Sequence, residues 1–415
     1  MLKILIIPAF RLYPVDSGGA HAQLAFLEKM QDQHEMDIII SPDNIDTGQI
    51  PAFREKFPKL NLLLTGYDAA KENKLAAFFK KLKRKMSGKD HAYQTRKYGL
   101  LNGLIRTKPG MPEAVAKLAA AKNYDIIQAE HSINMGLVGL LPAGPKKVFV
   151  HHEISHSRIK SDMQSLGYSA VYADYISDVA KQLERNWLNS YDGVITLCKE
   201  DAELLQQCGV DVPVQIAQPF ALFEDELKNV YDPSLSPRLL FAGGESHYPN
   251  KEGLEWFLTE VYPLVKKQQP ECSIAITGNW SKGFKERYIT DSSIQFAGFL
   301  PSLDEAYRNS ILVVPVRIGS GVRIKVITAL AHGVPVVGTA LGLSGIPGIE
   351  NGNNVFITDE AASFAEKTIS LLKDQSLRAR LSQQGFLLAQ KGYGEAAFSN
   401  DRAAFYRELL GTNPR

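Results

Sequence analysis

Short continuous runs of Val, Ile and Leu alternate along this chain with longer stretches whose apolar residues return every three or four positions. The runs are Leu2–Ile7, Met36–Ile40, Leu60–Leu64, Asp125–Gln128, Val148–Val150, Val194–Leu197 and Val214–Ala217, then Leu239–Phe241, Ser273–Thr277, Ile294–Phe296, Ile311–Val314, Val334–Val337 and Val355–Ile357. Apolar on both faces, they predict strands covered on each side by crossover helices, as in a parallel sheet. The alternation breaks at residues 221–237, where Glu224-Asp225-Glu226, Asp232-Pro233 and Ser234–Pro237 are polar, proline-marked and aperiodic. Such a stretch predicts a linker. The expected organisation is therefore a Rossmann-like domain over 1–220, a linker over 221–237 and a second Rossmann-like domain over 238–395. A final helix over 396–415, patterned by Phe398, Phe405, Leu409 and Leu410, is expected to dock across the domains. The fold class is α/β, two parallel-sheet domains whose strand ends face a shared cleft.

Composition narrows the function without naming it. A chain of 415 residues needs more than one domain, and 45% hydrophobic with 22% charged residues fits a globular protein. With 47 basic against 45 acidic residues, the net charge of +2 gives no global field for nucleic acid, which is excluded as an expected partner. Cys198, Cys208 and Cys272 have no CxxC spacing and read as reduced, packed side chains. The opening apolar run stops at Pro8, and no run reaches the ~20 apolar residues that span a bilayer. A cytoplasmic protein is expected. Leu75, Phe78, Phe79, Leu82 and Met86 recur at helical spacing among Lys80, Lys81, Lys83, Arg84 and Lys85. That pattern suits a crossover helix with its lysines in water, and equally a peripheral contact with the inner face of a membrane.

The chemistry concentrates in glycine turns that follow strands. In Pro315-Val-Arg-Ile-Gly-Ser-Gly-Val-Arg-Ile-Lys, a strand ends in Gly319-Ser320-Gly321, and a helix is predicted from about Val322 to His332 with Gly333 as its cap. Glycines there let backbone N–H groups approach an anion, and the helix start adds partial positive charge. Arg323 and Lys325 place full charges beside that point. A second turn, Gly243-Gly244, follows the first strand of the second half, with Lys251 in reach of a phosphate. A third, Gly18-Gly19, opens a helix after the first strand of the chain.

These segments together resemble the family 4 glycosyltransferases, retaining enzymes of the twin-Rossmann GT-B fold. The likeness is carried by Asp16-Ser-Gly-Gly, Asp125-Ile-Ile-Gln-Ala-Glu, His151-His-Glu-Ile, Tyr191-Asp-Gly-Val-Ile-Thr-Leu-Cys-Lys-Glu-Asp, Phe241-Ala-Gly-Gly and the Gly319-Ser-Gly to Gly333-Val-Pro-Val-Val block. The resemblance implies a nucleotide-sugar donor and a glycan or lipid-linked acceptor. It puts Gly18 and Gly19 beside the donor diphosphate and sugar, and His152 on the sugar as the catalytic residue. It sets Gly321, Val322, Arg323 and Lys325 around the diphosphate, with Gly243, Gly244 and Lys251 nearby. The Gly298-Phe299-Leu300 turn would meet the base through backbone groups of Gly298 and Leu300. The family usually carries two glutamates in a Glu-x7-Glu spacing, and here Ser320 and Thr328 stand in their places.

His151, Glu153 and His156 form a second polar group, in a predicted loop after a strand. No metal and no cofactor is expected. Two other readings share the architecture: a nucleotide-sugar epimerase, and a catalytically silent nucleotide- or glycan-binding protein.

Overall fold

The computed structural model describes residues 1–9, 11–13, 18–65, 107, 110–217, 227–288, 290–300, 302–393 and 401–411. The basic stretch at 75–86 and residues 14–17 lie outside them. Residues 1–218 and 400–415 form one compact unit, and 219–399 form a second.

Each apolar run becomes a strand. The first unit contains β1 (Lys3–Ile7), β2 (Glu35–Ile40), β3 (Leu60–Leu64), β4 (Ile126–Glu130), β5 (Lys146–His151), β6 (Gly193–Thr196) and β7 (Val214–Ile216). They pair in the order β3-β2-β1-β4-β5-β6-β7, every pair parallel. The helices that matter below are α1 (Gly18–Met30), α2 (Ser155–Ser165) and α3 (Ala170–Leu188).

The second unit holds β8 (Arg238–Phe241), β9 (Ile274–Thr277), β10 (Ile294–Gly298), β11 (Ser310–Val314), β12 (Val336–Gly338) and β13 (Phe356–Ile357). Their order is β10-β9-β8-β11-β12-β13, again all parallel. Its key helices are α4 (Tyr248–Trp256) and α5 (Ile324–Ala331). A last helix, α6 (Asp401–Leu409), packs on the first unit. The pleat explains the burial: Leu239, Phe241, Ile311 and Val313 enter one core layer, while Leu240, Leu312 and Val314 enter the other. β8 and β11 are buried on both faces, so their runs need no polar alternation and show none.

Both sheets reverse direction of growth at one place, between β1 and β4 and between β8 and β11. In open parallel sheets the ligand crevice lies outside the carboxyl ends of strands at that switch point. The loops after these four strands are therefore where chemistry is expected within each unit.

Three sequence expectations shift. The helix after β11 starts at Ile324, not Val322, because the Gly319–Gly321 turn extends further than its glycines announce. His156 lies inside α2 rather than in a loop. Residues 227–237, read as linker, pack on the second unit: Val230 and Tyr231 donate their N–H groups to His332 O, and Tyr231 is buried.

Helix α4 crosses the loop after β11 at Gly253. A Cβ there would run into the Pro315 carbonyl, with the carbonyl carbon only 2.9 Å away. Gly253→Ala should therefore lower stability by about 1–3 kcal/mol, the usual cost of overpacking. Gly283→Ala, in the short helix Lys282–Glu286 with nothing within 4 Å of the added carbon, should be neutral or slightly stabilising. Thermal unfolding of the two variants checks the contrast, and equal midpoints would contradict it.

Candidate active site

In the second unit the switch-point loops meet through glycine. Gly319 and Gly321 have φ of 98° and 81°, in the left-handed region that side chains other than glycine rarely occupy. Arg323 follows as the residue preceding α5, with ψ of 86° and no side-chain cap on the helix. Its guanidinium turns back to donate to Ser320 O at 2.6 Å and to Gly321 O, which holds the loop open ahead of the helix. The start of α5 is thus a helix terminus with backbone N–H groups, no side-chain cap and a buried guanidinium beside it. This is the arrangement that receives anions.

Lys325 behaves differently from its sequence reading. Its Nζ donates to Ala242 O and to Asn250 Oδ1, both at 2.8 Å, and lies 5.0 Å from the centre of the Phe241 ring. It ties the loop after β8 to α4 and α5. Burial pushes this amine down to about 7, and the neighbouring charge of Arg323 adds to the effect. Lys251, expected near a phosphate, instead pairs with Glu245 at 3.2 Å. Gly243 and Gly244 serve close packing: a Cβ on Gly243 would lie 2.6 Å from the Asn250 side chain, and one on Gly244 3.3 Å from the Asn279 backbone. Gly298 has φ of 74° at the end of β10, and Leu300 packs on the core nearby. Val322 packs on that same core. Thr328 spends its hydroxyl proton on Ile324 O within α5, so toward a ligand it can only accept.

In the first unit, Gly18 and Gly19 are the first residues of α1. The polar centre of this unit is Glu130, the last residue of β4 and fully buried. His152 Nε2 lies 3.1 Å from its Oε2; Gln23 donates to Oε1 at 2.8 Å, and Gln128 donates there too. Burial alone would raise this carboxyl. The hydrogen bond and charge of His152, the charge of Arg402 and the Gln23 bond outweigh it and hold it below its ordinary range. The next residue, His131, has φ of 67°, the one positive φ at a non-glycine among the described residues. That backbone costs about 1–3 kcal/mol and is typical of functional sites. Its ring stands 6.2 Å from that of His152 and 3.7 Å from Glu153, and burial lowers it to about 4.

The two histidines of the pair take separate roles. His151 Nε2 lies 2.7 Å from buried Glu184 of α3, which also receives the backbone N–H of Ser155 and His156 and contacts His156 Nδ1 at 2.6 Å. Despite burial, those histidines hold Glu184 well below the usual carboxylate range. This group braces the start of α2. Among the described residues, no three His, Cys, Asp or Glu side chains gather as a metal-holding group.

Sequence reasoning passed over Glu130, Gln23 and Glu184. Gln128 and Glu130 did carry a signal, since two polar residues on one face of an apolar strand are out of pattern. Gln23 and Glu184 sit on helices where a polar residue is unremarkable, and only the tertiary fold reveals them.

The lowered Lys325 amine has a testable consequence. An amine at about 7 is neutral above that pH, and a bound diphosphate favours the ammonium form. Affinity for a nucleotide sugar, whose diphosphate does not itself ionise near neutrality, should be full below pH 7 and fall as pH rises, by up to about tenfold per pH unit. Lys325→Met should flatten the profile. Calorimetric titrations between pH 6 and 9 check this, and a flat profile in the parent protein would contradict it.

Comparison with known proteins agrees with this geometry. Residues 79–219 match the family described as Glycosyltransferase Family 4, and residues 236–374 match Glycosyl transferases group 1. A Klebsiella pneumoniae protein described as an "Uncharacterized 44.6 kDa protein in cps region" is 22% identical over 416 residues, covering 95% of this chain and 97% of that one. Sucrose-phosphate synthase from Thermosynechococcus elongatus has a similar fold, with a TM-score of 0.70 at 14% identity and 100% of both chains covered. A variant of S. aureus TarM, solved with fondaparinux, alpha-GlcNAc-glycerol and UDP, gives a TM-score of 0.67 at 10% identity over 99% of each chain. With a glycosyltransferase family matched in each half and two Rossmann-like parallel sheets, this chain resembles the GT-B glycosyltransferases.

Proposed function

We propose that this glycosyltransferase moves a hexose from a nucleotide sugar to a hydroxyl of a glycan or lipid-linked acceptor, with retention of anomeric configuration and without a metal ion. The observation that carries the reading is the uncapped start of α5. It lies behind two positive-φ glycines and beside the Arg323 guanidinium and the Lys325 amine. In the reaction, the bond from the anomeric carbon to the diphosphate breaks as the acceptor oxygen bonds to that carbon. The leaving diphosphate gains charge, and the acceptor's proton leaves with it. Helix-terminus N–H groups and two cations, fixed in place before the reaction, stabilise such charge with no reorganisation. Preorganised electrostatics of this kind often supply most of an enzyme's acceleration. They can do for the diphosphate what a divalent cation does elsewhere.

His152 touches the transferred sugar, and Gly18 and Gly19 leave room for it. The turn at Gly298 and Leu300 meets the base. Thr328, acting only as an acceptor, takes a hydrogen bond from a ribose hydroxyl in place of a carboxylate. The UDP bound in the TarM variant makes uridine diphosphate sugars the first donors to try. Retention rests on the family resemblance. No described helix is long and apolar enough to cross a membrane, and a lipid-linked acceptor would be met at a membrane surface.

A panel of nucleotide sugars, assayed for released nucleotide in EDTA and then with added magnesium or manganese, tests the proposal. Turnover of at least one donor that survives EDTA is expected. Activity lost in chelator and restored by metal contradicts the metal-free mechanism. Binding without turnover across the panel makes the chain a silent nucleotide-binding protein.

A further inference from the structure

A carboxylate with no exposed surface is a costly object at a strand end unless donors surround it. Around Glu130 the donors are sorted. Gln23 and Gln128 both donate to Oε1, and His152 Nε2 faces Oε2. The orientation of the Gln128 amide is itself fixed, because Tyr406 of α6 donates its hydroxyl proton to Gln128 Oε1 and so leaves the NH2 end for Glu130. Arg402, one turn earlier on α6 with its guanidinium 4.2 Å over the Phe26 ring, adds a charge that favours the carboxylate. Among the described residues near the ring, Glu153 lies 3.7 Å from His131 and 2.8 Å from Arg158.

An ionised carboxylate can only accept, so the hydrogen between the two groups belongs to His152 Nε2. In the neutral ring Nδ1 is then the acceptor. We infer that Glu130 is a positioning residue that locks His152 in its Nε2–H tautomer, with Nδ1 as the acceptor nitrogen of the ring that meets the transferred sugar. What the ring touches rests on the function proposed above; the tautomer does not. Tyr406, 278 positions away in sequence from Gln128, orients one of the donors that keep Glu130 an acceptor toward His152.

Glu130→Gln makes a sharp contrast. Gln23 and Gln128 still donate toward position 130, so the new amide keeps its oxygen on their side and turns its NH2 to His152. Nε2 must then accept, and the proton moves to Nδ1. The experiment is long-range proton–nitrogen NMR on the full chain with 15N-labelled histidine, at a pH where the ring is neutral, with His152 assigned through its loss in His152→Ala. Expected are a protonated Nε2 in the parent protein and an inverted tautomer in Glu130→Gln. Donor turnover should also fall about tenfold or more, with the unfolding midpoint little changed. A parent spectrum with the proton on Nδ1 overturns the inference, and so does a folded Glu130→Gln protein whose His152 keeps the parent tautomer. Should that variant fail to fold, the parent spectrum alone decides. If the tautomers behave as expected but neither protein turns over any donor, the transferase reading fails and the positioning role stands.

Discussion

Lys325 Nζ sits 2.8 Å from both Ala242 O and Asn250 Oδ1, and the second unit is organised around that contact. It joins the end of β8, the first turn of α4 and the start of α5, three segments drawn from residues 242 to 325 of the chain. To bring them this close, the backbones must pass without side chains between them. Gly253 passes under Pro315, and a Cβ on Gly278 would lie 2.6 Å from Gly243 O. The contact has a cost, because it takes an ammonium out of water. The chain meets that cost with two acceptors and the face of Phe241, and what remains of it appears as an amine held near 7. An anion at the adjacent helix start would relieve it. In this way packing, electrostatics and the proposed anion site have one origin.

The first unit solves the mirror problem. Its switch point holds a buried negative group, Glu130, in place of a buried positive one, and surrounds it with donors from α1, β4, the turn after β5 and, electrostatically, α6. The same strand end carries the strained backbone of His131. The terminal helix is part of this solution. Phe405 and Leu409 press against Gly193, where a Cβ would meet the Phe405 ring, while Tyr406 orients Gln128. Interaction energies of this kind are not separable by position in sequence, since α6 arrives long after the sheet it completes. Both units thus place desolvated charge at the crevice predicted by strand order alone.

How much of this is legible in the sequence depends on the scale of the interaction. All thirteen described strands are visible there as short apolar runs; most are buried on both faces, and β3 and β10, whose burial alternates, still stand out between polar segments. The Gly319–Gly321 turn is visible because positive φ selects glycine. The start of α5 is missed by two residues: Arg323 looks helical in sequence, but its ψ is 86° and its guanidinium bonds back to Ser320 O and Gly321 O. Lys251 and Lys325 read alike in sequence as cations in reach of a phosphate. One pairs with Glu245 and the other is desolvated, and for Lys325 the difference is set by neighbours tens of residues away. Glu130 lies just past the predicted run Asp125–Gln128, and with Gln128 it puts two polar residues on one face of β4; that pattern is visible in sequence, but its role shows only when Gln23 and His152 are seen to converge on it.

The central claim is that the start of α5 seats a diphosphate. Its most direct test is calorimetry with UDP and with uridine on the parent protein and on Gly321→Val, after confirming by circular dichroism that the variant is folded. A β-branched residue at φ of 81° must distort the turn and cover the helix start. The account predicts that UDP loses at least tenfold in affinity, about 1.4 kcal/mol, while uridine binding is unchanged. UDP binding equally tight in the folded variant would contradict it.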